Sequence, residues 1–266
     1  MSFPAPNSAR IRLELDAQLS NRLIDLQTFD AVGSTNDELM GAPLPEAGYY
    51  RMVVADHQTA GRGRAGKPWL LPPGAGLCLS LMTTLALGAD RIAPLTLAVG
   101  VALARGLRGL GADVRVKWPN DLILGDAKLG GILVERRDHP AGSTVVIGVG
   151  INIALPAGFG DEWAQYSVLP PTDLRAGLAK AVDRDHLAAI VANGIALACR
   201  DFARKGPFSY ADDWPQLDYL VGKSVVVDGG REAINGVADG ITEFGELRIM
   251  TGSGVATSST GSVRIV

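Results

Sequence analysis

The sequence predicts an α+β chain, with strands and helices through about residue 217 and a run of short strands after it. Three observations lead there. Apolar runs of strand length, rich in β-branched residues, recur at RMVVADHQ, GLCLSLMTT and STVVIGVGINI. Residues 91–111 are mostly apolar and Ala-rich, too long for a strand, and reach glycine at Gly109 and Gly111, as a helix would. From Leu220 the spacing tightens to KSVVVD, AINGVADGI, GELRIM, GVATSS and SVRIV. Short strands with glycine turns read as a small all-β barrel. The expected organisation is an N-terminal extension over 1–25, a main domain over 26–217 and the barrel over 218–266.

Composition sets outer bounds. The 47% hydrophobic and 20% charged content is ordinary for a globular chain. A net charge of −3 argues against bulk nucleic-acid binding as the main activity. The apolar run at 95–104 is interrupted by Gly100 and ended by Arg105, well short of a bilayer span. MSFPAPNSAR lacks a cationic stretch followed by an apolar one, so no secretory signal is visible. Cys78 and Cys199 both stand in apolar surroundings and read as reduced, buried thiols of a cytoplasmic protein.

In chain order, IRLELDAQL is weakly amphipathic and too short to form a domain. LQTFDAVG enters as a strand and GSTNDELM starts a helix. Thr35 with Glu38 fits a capping box, and Ser34 with Asp37 is a second register. Helix N-termini also bind anions, so Ser34–Asn36 can cap or line a pocket. The strand RMVVADHQ leads into TAGRGRAGKPW, where Gly61, Gly63 and Gly66 alternate with Arg62, Arg64 and Lys67. Glycines let backbone N–H groups approach a ligand and the cations suit a polyphosphate. A solvated basic loop is the alternative. The strand before it and Trp69 after it favour a loop that closes over a sheet face. A Walker loop is excluded because the Lys-Ser/Thr ending is missing.

The chain is organised around KWPNDLILGDAKLGGILVE, Lys117–Glu135. Pro119 cannot donate in a ladder, so DVRVKW should stop near Trp118. Asn120 and Asp121 suit a turn, and DLIL and LGGILVE are two strands joined at Gly125-Asp126. Lys128 then starts a strand beside Gly130 and Gly131, where absent side chains let a ligand come close. After a turn spanning Arg136–Gly142, STVVIGVGINI sets Gly148 and Gly150 on one face by the period of two. That face can accommodate a helix or leave a slot for a flat ligand, with Asn152 at its end. Residues 154–184 resist assignment. Asp185 is the expected cap of a helix with Leu187, Ile190, Val191, Ile195, Ala198 and Phe202 on its apolar face. His57, His139 and His186 stand apart without metal-ligand spacing. No G-x-S-x-G elbow is present.

Taken in order, GSTND, ADHQTAGRGRAGKPW, KWPNDLILGDAKLGGILVE and VIGVGINI resemble the signature of biotin–protein ligases. The resemblance covers roughly residues 28–266. It implies a mixed sheet with helices, similar to class II aminoacyl-tRNA synthetases, and a C-terminal SH3-like barrel. It implies ATP, magnesium and biotin as ligands, and a biotin carboxyl carrier domain as protein partner. By motif, Ser34, Thr35 and Asn36 border the biotin rings, and Gln58 with the backbone of Gly61 and Arg62 holds biotin and its carboxylate. Gly131, Gly148 and Gly150 floor the slot. Arg62, Arg64, Lys67 and Trp69 match the adenylate loop, Lys117 and Asn120 line the phosphate region, and Asn152 meets the nucleotide. Lys128, Arg62, Lys117 and Asp121 are the catalytic set, Lys128 stabilising adenylation and Asp121 accepting or orienting in the transfer. No residue is assigned to the metal. Some relatives carry a DNA-binding module for which residues before Leu26 leave no room, so neither DNA nor a membrane is expected as a partner. A homodimer is suggested by the resemblance alone. A lipoate–protein ligase and a non-catalytic binding module are the competing readings.

Overall fold

The computed structural model describes residues 4–140, 142–229 and 232–266. Two short helices, α1 (Ser8–Glu14) and α2 (Ala17–Ser20), open the chain. They bury Ile11 and Leu19 completely in the main core. Seven strands then form one sheet: β1 (Leu23–Val32), β2 (Tyr50–Gln58), β3 (Gly76–Leu85), β4 (Val114–Lys117), β5 (Asp121–Leu124), β6 (Ala127–His139) and β7 (Gly142–Asn152). Their order is β1-β2-β3-β7-β6-β5-β4. β1 and β2 run parallel and every other pair is antiparallel, so the sheet is mixed.

Helix α3 (Thr35–Met40) follows β1, and α4 (Leu95–Gly109) follows β3. Helices α5 (Phe159–Trp163), α6 (Arg184–Lys205) and α7 (Trp214–Leu217) come after β7. The long helices α4 and α6 pack on each other and on one face of the sheet, burying Leu103, Leu107, Leu187, Val191 and Ile195 with Leu77, Leu79 and Leu81. Among the described residues the opposite face carries only α3, α5 and loops, with small clusters about Val53–Met82–Val146 and about Trp69–Trp163. That thin covering is where a ligand has access to the strands.

Five further strands, β8 (Ser224–Asp228), β9 (Ile234–Ile241), β10 (Leu247–Thr251), β11 (Gly254–Ser258) and β12 (Ser262–Ile265), form an antiparallel sheet ordered β11-β10-β9-β8-β12. This is the SH3-like element, and all five strands lie where the short-strand pattern puts them. Val225, Val227, Leu247 and Ile249 belong to the same continuous core as the larger sheet.

Several local expectations change. Ser34, not Thr35, caps α3, its Oγ accepting from the Asp37 N–H at 3.5 Å. The helix expected over 91–111 starts at Leu95, because Pro94 brings no N–H and closes the approach. β6 continues through Arg136 to His139 rather than turning at Arg136, since Arg136, Arg137 and Asp138 still pair with β7. Asp183, not Asp185, caps α6, accepting from the N–H groups of Asp185 and His186. Asp185 lies two residues further on, in the first turn, and receives the Asn7 N–H at 3.0 Å. Among the described helices only α6 is long and apolar enough to cross a membrane by composition, and its apolar face is the core just described.

Candidate functional site

The site follows from cross-strand register. Lys117 lies opposite Asp121, Asp121 opposite Gly131, Gly131 opposite Gly150, and Gly150 opposite Cys78. Directly opposed residues project from the same face, so this row is a trough with two adjacent glycines in the middle and charge at the β4 end. One step along, Gly148 lies between Ser80 and Leu133. A cavity of about 520 Å³ opens above these rows.

Lys128 reaches the trough only because of a bulge. It stands three positions before Gly131, so regular alternation would send the two to opposite faces. Pairing shifts between Leu122↔Gly130 and Ile123↔Lys128, skipping Leu129. The extra residue turns Lys128 back onto the Asp121 face. Its Nζ is 2.7 Å from Asp121 Oδ1, while Lys117 Nζ is 3.7 Å from Asp121 Oδ2. Burial acts to raise the Asp121 carboxyl, but the two ammonium groups overcome it and hold the carboxyl below its usual range. Burial lowers the Lys117 ammonium, with Asp121 opposing. Two cations on one carboxylate leave a net positive charge at this end of the trough. An aspartate held ionised by two lysines is a weak base, so its geometry suits orienting the lysines rather than accepting a proton.

The other end is a chain of hydrogen bonds. Gln58 Oε1 accepts from the Thr35 N–H at 2.8 Å and the Thr35 hydroxyl at 3.0 Å. Ser80 Oγ stands 2.7 Å from Thr35 Oγ1 and 2.6 Å from Asn36 Oδ1. Asn36 Nδ2 donates to Glu135 at 2.6 Å. A Cβ on Gly148 would overlap the Asn36 amide, so that glycine is what lets Asn36 lie flat across β7.

The glycine-rich loop, Thr59–Leu70, covers one side. Its neck is pinned by the Trp69 N–H donating to Gly61 O at 2.9 Å and by the Gly63 N–H donating to Lys67 O at 2.7 Å. The Trp69 indole lies directly over Gly150, where any Cβ would overlap it. Trp163 of α5 packs edge-on against Trp69 with ring centroids 5.4 Å apart, and Lys128 Nζ lies 5.7 and 5.8 Å from the two rings. Segment 170–172 is tied to β6 by Lys128 N–H to Pro170 O at 2.8 Å and Thr172 N–H to Lys128 O at 3.0 Å. This unassigned insert thereby brings Trp163, Tyr166 and Leu169 to the cavity mouth. The C-terminal sheet supplies Asp228, Thr260 and Arg264 to the far wall, and Arg64 Nη2 reaches Thr260 Oγ1 at 3.5 Å.

Ser34, Thr35, Asn36, Gln58, Arg62, Arg64, Lys67, Trp69, Lys117, Asn120, Asp121, Lys128, Gly131, Gly148 and Gly150 all line this one cavity. Gly61 and Asn152 do not. Gly61 sits in the loop neck, 2.7 Å from the Trp69 carbonyl as measured from an added Cβ, so its role there is close backbone approach. Asn152 is fully buried and donates to Thr172 O at 2.9 Å, anchoring the insert. Sequence reasoning passed over Ser80, Glu135 and Asp37. A lone serine inside the apolar run GLCLSLMTT was a usable signal, whereas Asp37 and Glu135 looked like ordinary surface acids.

The fold that carries this site recurs among solved ligases. Biotin protein ligase from Aquifex aeolicus in complex with biotin and ATP superposes with a TM-score of 0.74 at 25% identity, over 92% of this chain and 99% of that one. Residues 29–152 match the biotin/lipoate A/B protein ligase family. The biotin–[acetyl-CoA-carboxylase] ligase of Mycobacterium tuberculosis is 30% identical over 96% of this chain and 97% of its own length. The bifunctional ligase/repressor BirA of Escherichia coli is 39% identical over 81% of this chain, and the match spans 66% of that protein. The chain belongs to the biotin/lipoate A/B protein ligase family.

Proposed function

We propose that the protein is an ATP-dependent biotin ligase that forms biotinyl-5′-AMP and passes biotin to a lysine of a biotin carboxyl carrier domain. The observation that carries the choice of biotin is the hydrogen-bond count at the closed end of the slot. Ser80 has one proton and two acceptors, Thr35 Oγ1 and Asn36 Oδ1, within 2.7 Å. Thr35 spends its own proton on Gln58. Thr35 Oγ1 and Asn36 Oδ1 share the one Ser80 donor, so this end of the slot keeps acceptor capacity for a ligand N–H. A ureido ring offers two such donors; the dithiolane of lipoate offers none, and would leave these polar groups desolvated and unpaired.

In the first half-reaction a biotin carboxylate oxygen attacks the α-phosphorus of ATP, and pyrophosphate leaves. Anion meets anion, so cations must offset the repulsion as charge builds on the phosphoryl oxygens. Lys128 and Lys117 stand where the slot meets the phosphate region, and Asp121 fixes their ammonium groups. In the second, an acceptor-lysine amine attacks the acyl carbon, AMP leaves, and the amine loses a proton. Trp69 and Trp163 keep water from the mixed anhydride between the steps. Among the described residues none fits a dedicated magnesium cage: Asp121, Asp228, Asp37 and Glu135 are each committed to a cation or an amide. Magnesium would enter with the triphosphate, held by phosphate oxygens and water.

Biotin-dependent pyrophosphate release from ATP tests the reading, with lipoate in parallel. Turnover with biotin and none with lipoate is expected. Equal or preferential turnover with lipoate overturns the substrate, and binding of either acid without pyrophosphate release overturns the enzyme reading.

A further inference from the structure

Arg62 lines the cavity beside the other loop cations, yet its guanidinium is already engaged. Nη1 meets Asp37 Oδ2 at 2.6 Å and Nη2 meets Asp37 Oδ1 at 2.5 Å, a bidentate pair. Nη2 also stands 3.5 Å from Glu135 Oε1. The same Glu135 holds Asn36 through its other oxygen. Hydrogen bonding to Arg62 keeps the Asp37 carboxyl below its usual range. One cation faces two carboxylates here, so this corner of the site carries no positive charge for a phosphate. Arg64 and Lys67 have no carboxylate within 4.0 Å among the described residues, and Lys117 and Lys128 share one.

We propose that Asp37 and Glu135 are positioning residues that hold Arg62, and through it the 59–70 loop, against the slot. This rests on the biotin ligase reading for its kinetic part only. Asp37 lies in the first turn of α3, next to Asn36, and Arg62 lies one residue after the loop neck at Gly61. The clasp therefore ties the helix that presents Thr35 and Asn36 to the loop that covers the trough. Arg62 shapes the ring end of the slot, while Arg64, Lys67, Lys117 and Lys128 carry the phosphates.

The test uses Asp37→Asn, which removes the charge and one good acceptor, and Glu38→Gln, which removes the neighbouring first-turn charge without touching Arg62. Without ligand, trypsin should cut after Arg64 about three- to five-fold faster in Asp37→Asn, the loss of a half-exposed bidentate pair. Asp37→Glu should restore most of the protection. The KM for biotin should rise several-fold in Asp37→Asn, with the KM for ATP and kcat near the parent values. Glu38→Gln should change none of these. Unchanged cleavage in Asp37→Asn, an equal change in Glu38→Gln, or a loss confined to the KM for ATP overturns the clasp. The cleavage arm needs neither biotin nor ATP. Faster cleavage in a protein without biotin-dependent turnover would support the clasp while removing the ligase reading.

Discussion

The two adjacent floor glycines should respond differently to one methyl group. A Cβ on Gly150 would overlap the Trp69 indole. That indole cannot swing aside cheaply: it is 8% exposed and locked edge-on to Trp163. Gly150→Ala therefore overpacks a rigid contact, at a cost of about 1–3 kcal/mol. For a chain of this size that lowers Tm by roughly 2–4 °C per kcal/mol. A Cβ on Gly131 would meet Trp69 Cζ3 at 3.6 Å and Lys128 Cε at 3.7 Å, ordinary van der Waals contacts. Gly131→Ala should stay within about 0.5 kcal/mol of the parent. Its methyl would nonetheless stand in the trough between Trp69 and Lys128. If a ligand lies there, a methyl-sized mismatch should lower kcat/KM for biotin by about 10- to 200-fold. Thermal unfolding and biotin-dependent pyrophosphate release, measured on both variants, separate the effects. A Gly131→Ala protein with parental kcat/KM would refute the trough as the biotin bed, and parental stability in Gly150→Ala would refute the rigid seating of Trp69.

Lys128→Ala should lower the adenylation rate by about two to three orders of magnitude, as for removal of one electrostatic donor, while transfer from pre-formed biotinyl-adenylate is far less affected. Normal pyrophosphate release would take Lys128 out of the mechanism. Burial lowers the Lys117 ammonium, so the alkaline loss of adenylation should fall below the ordinary lysine value of about 10.4. Lys117→Arg should move that limb upward; a limb indifferent to this change would assign it elsewhere. The Asp121 carboxyl is depressed in the folded protein. Its contribution to stability is present above the unfolded value of about 3.9 and is lost as pH falls through the lower folded value. Asp121→Asn should therefore flatten the acid limb of a Tm-against-pH curve below about pH 4, and an unaltered limb would show that other carboxylates dominate it.

Local chemistry settles much of this protein from sequence. Glycine and proline punctuation marks the β4–β5–β6 stretch, and the five short C-terminal strands announce themselves by spacing alone. The order of the glycine loop, the lysine-bearing stretch and the paired glycines of β7 brings fifteen expected residues to one cavity. These features depend on backbone preferences and period, which are written residue by residue. What depends on partners distant in the chain was not legible. The cap of α3 is Ser34 because Thr35 is drawn to Gln58, a choice made by a strand more than twenty residues away. The insert at 154–184 has no period of its own, and it finds its place by pairing with Lys128 and Asn152. Asp37 and Glu135 look like solvated acids until Arg62 is folded between them. Lys128 is the sharpest case. A period of two sends it away from Gly131, and only the bulge against β5 returns it to the trough. Register is set by the packing of whole strands, so the sequence names the lysine and the tertiary structure decides which face it serves.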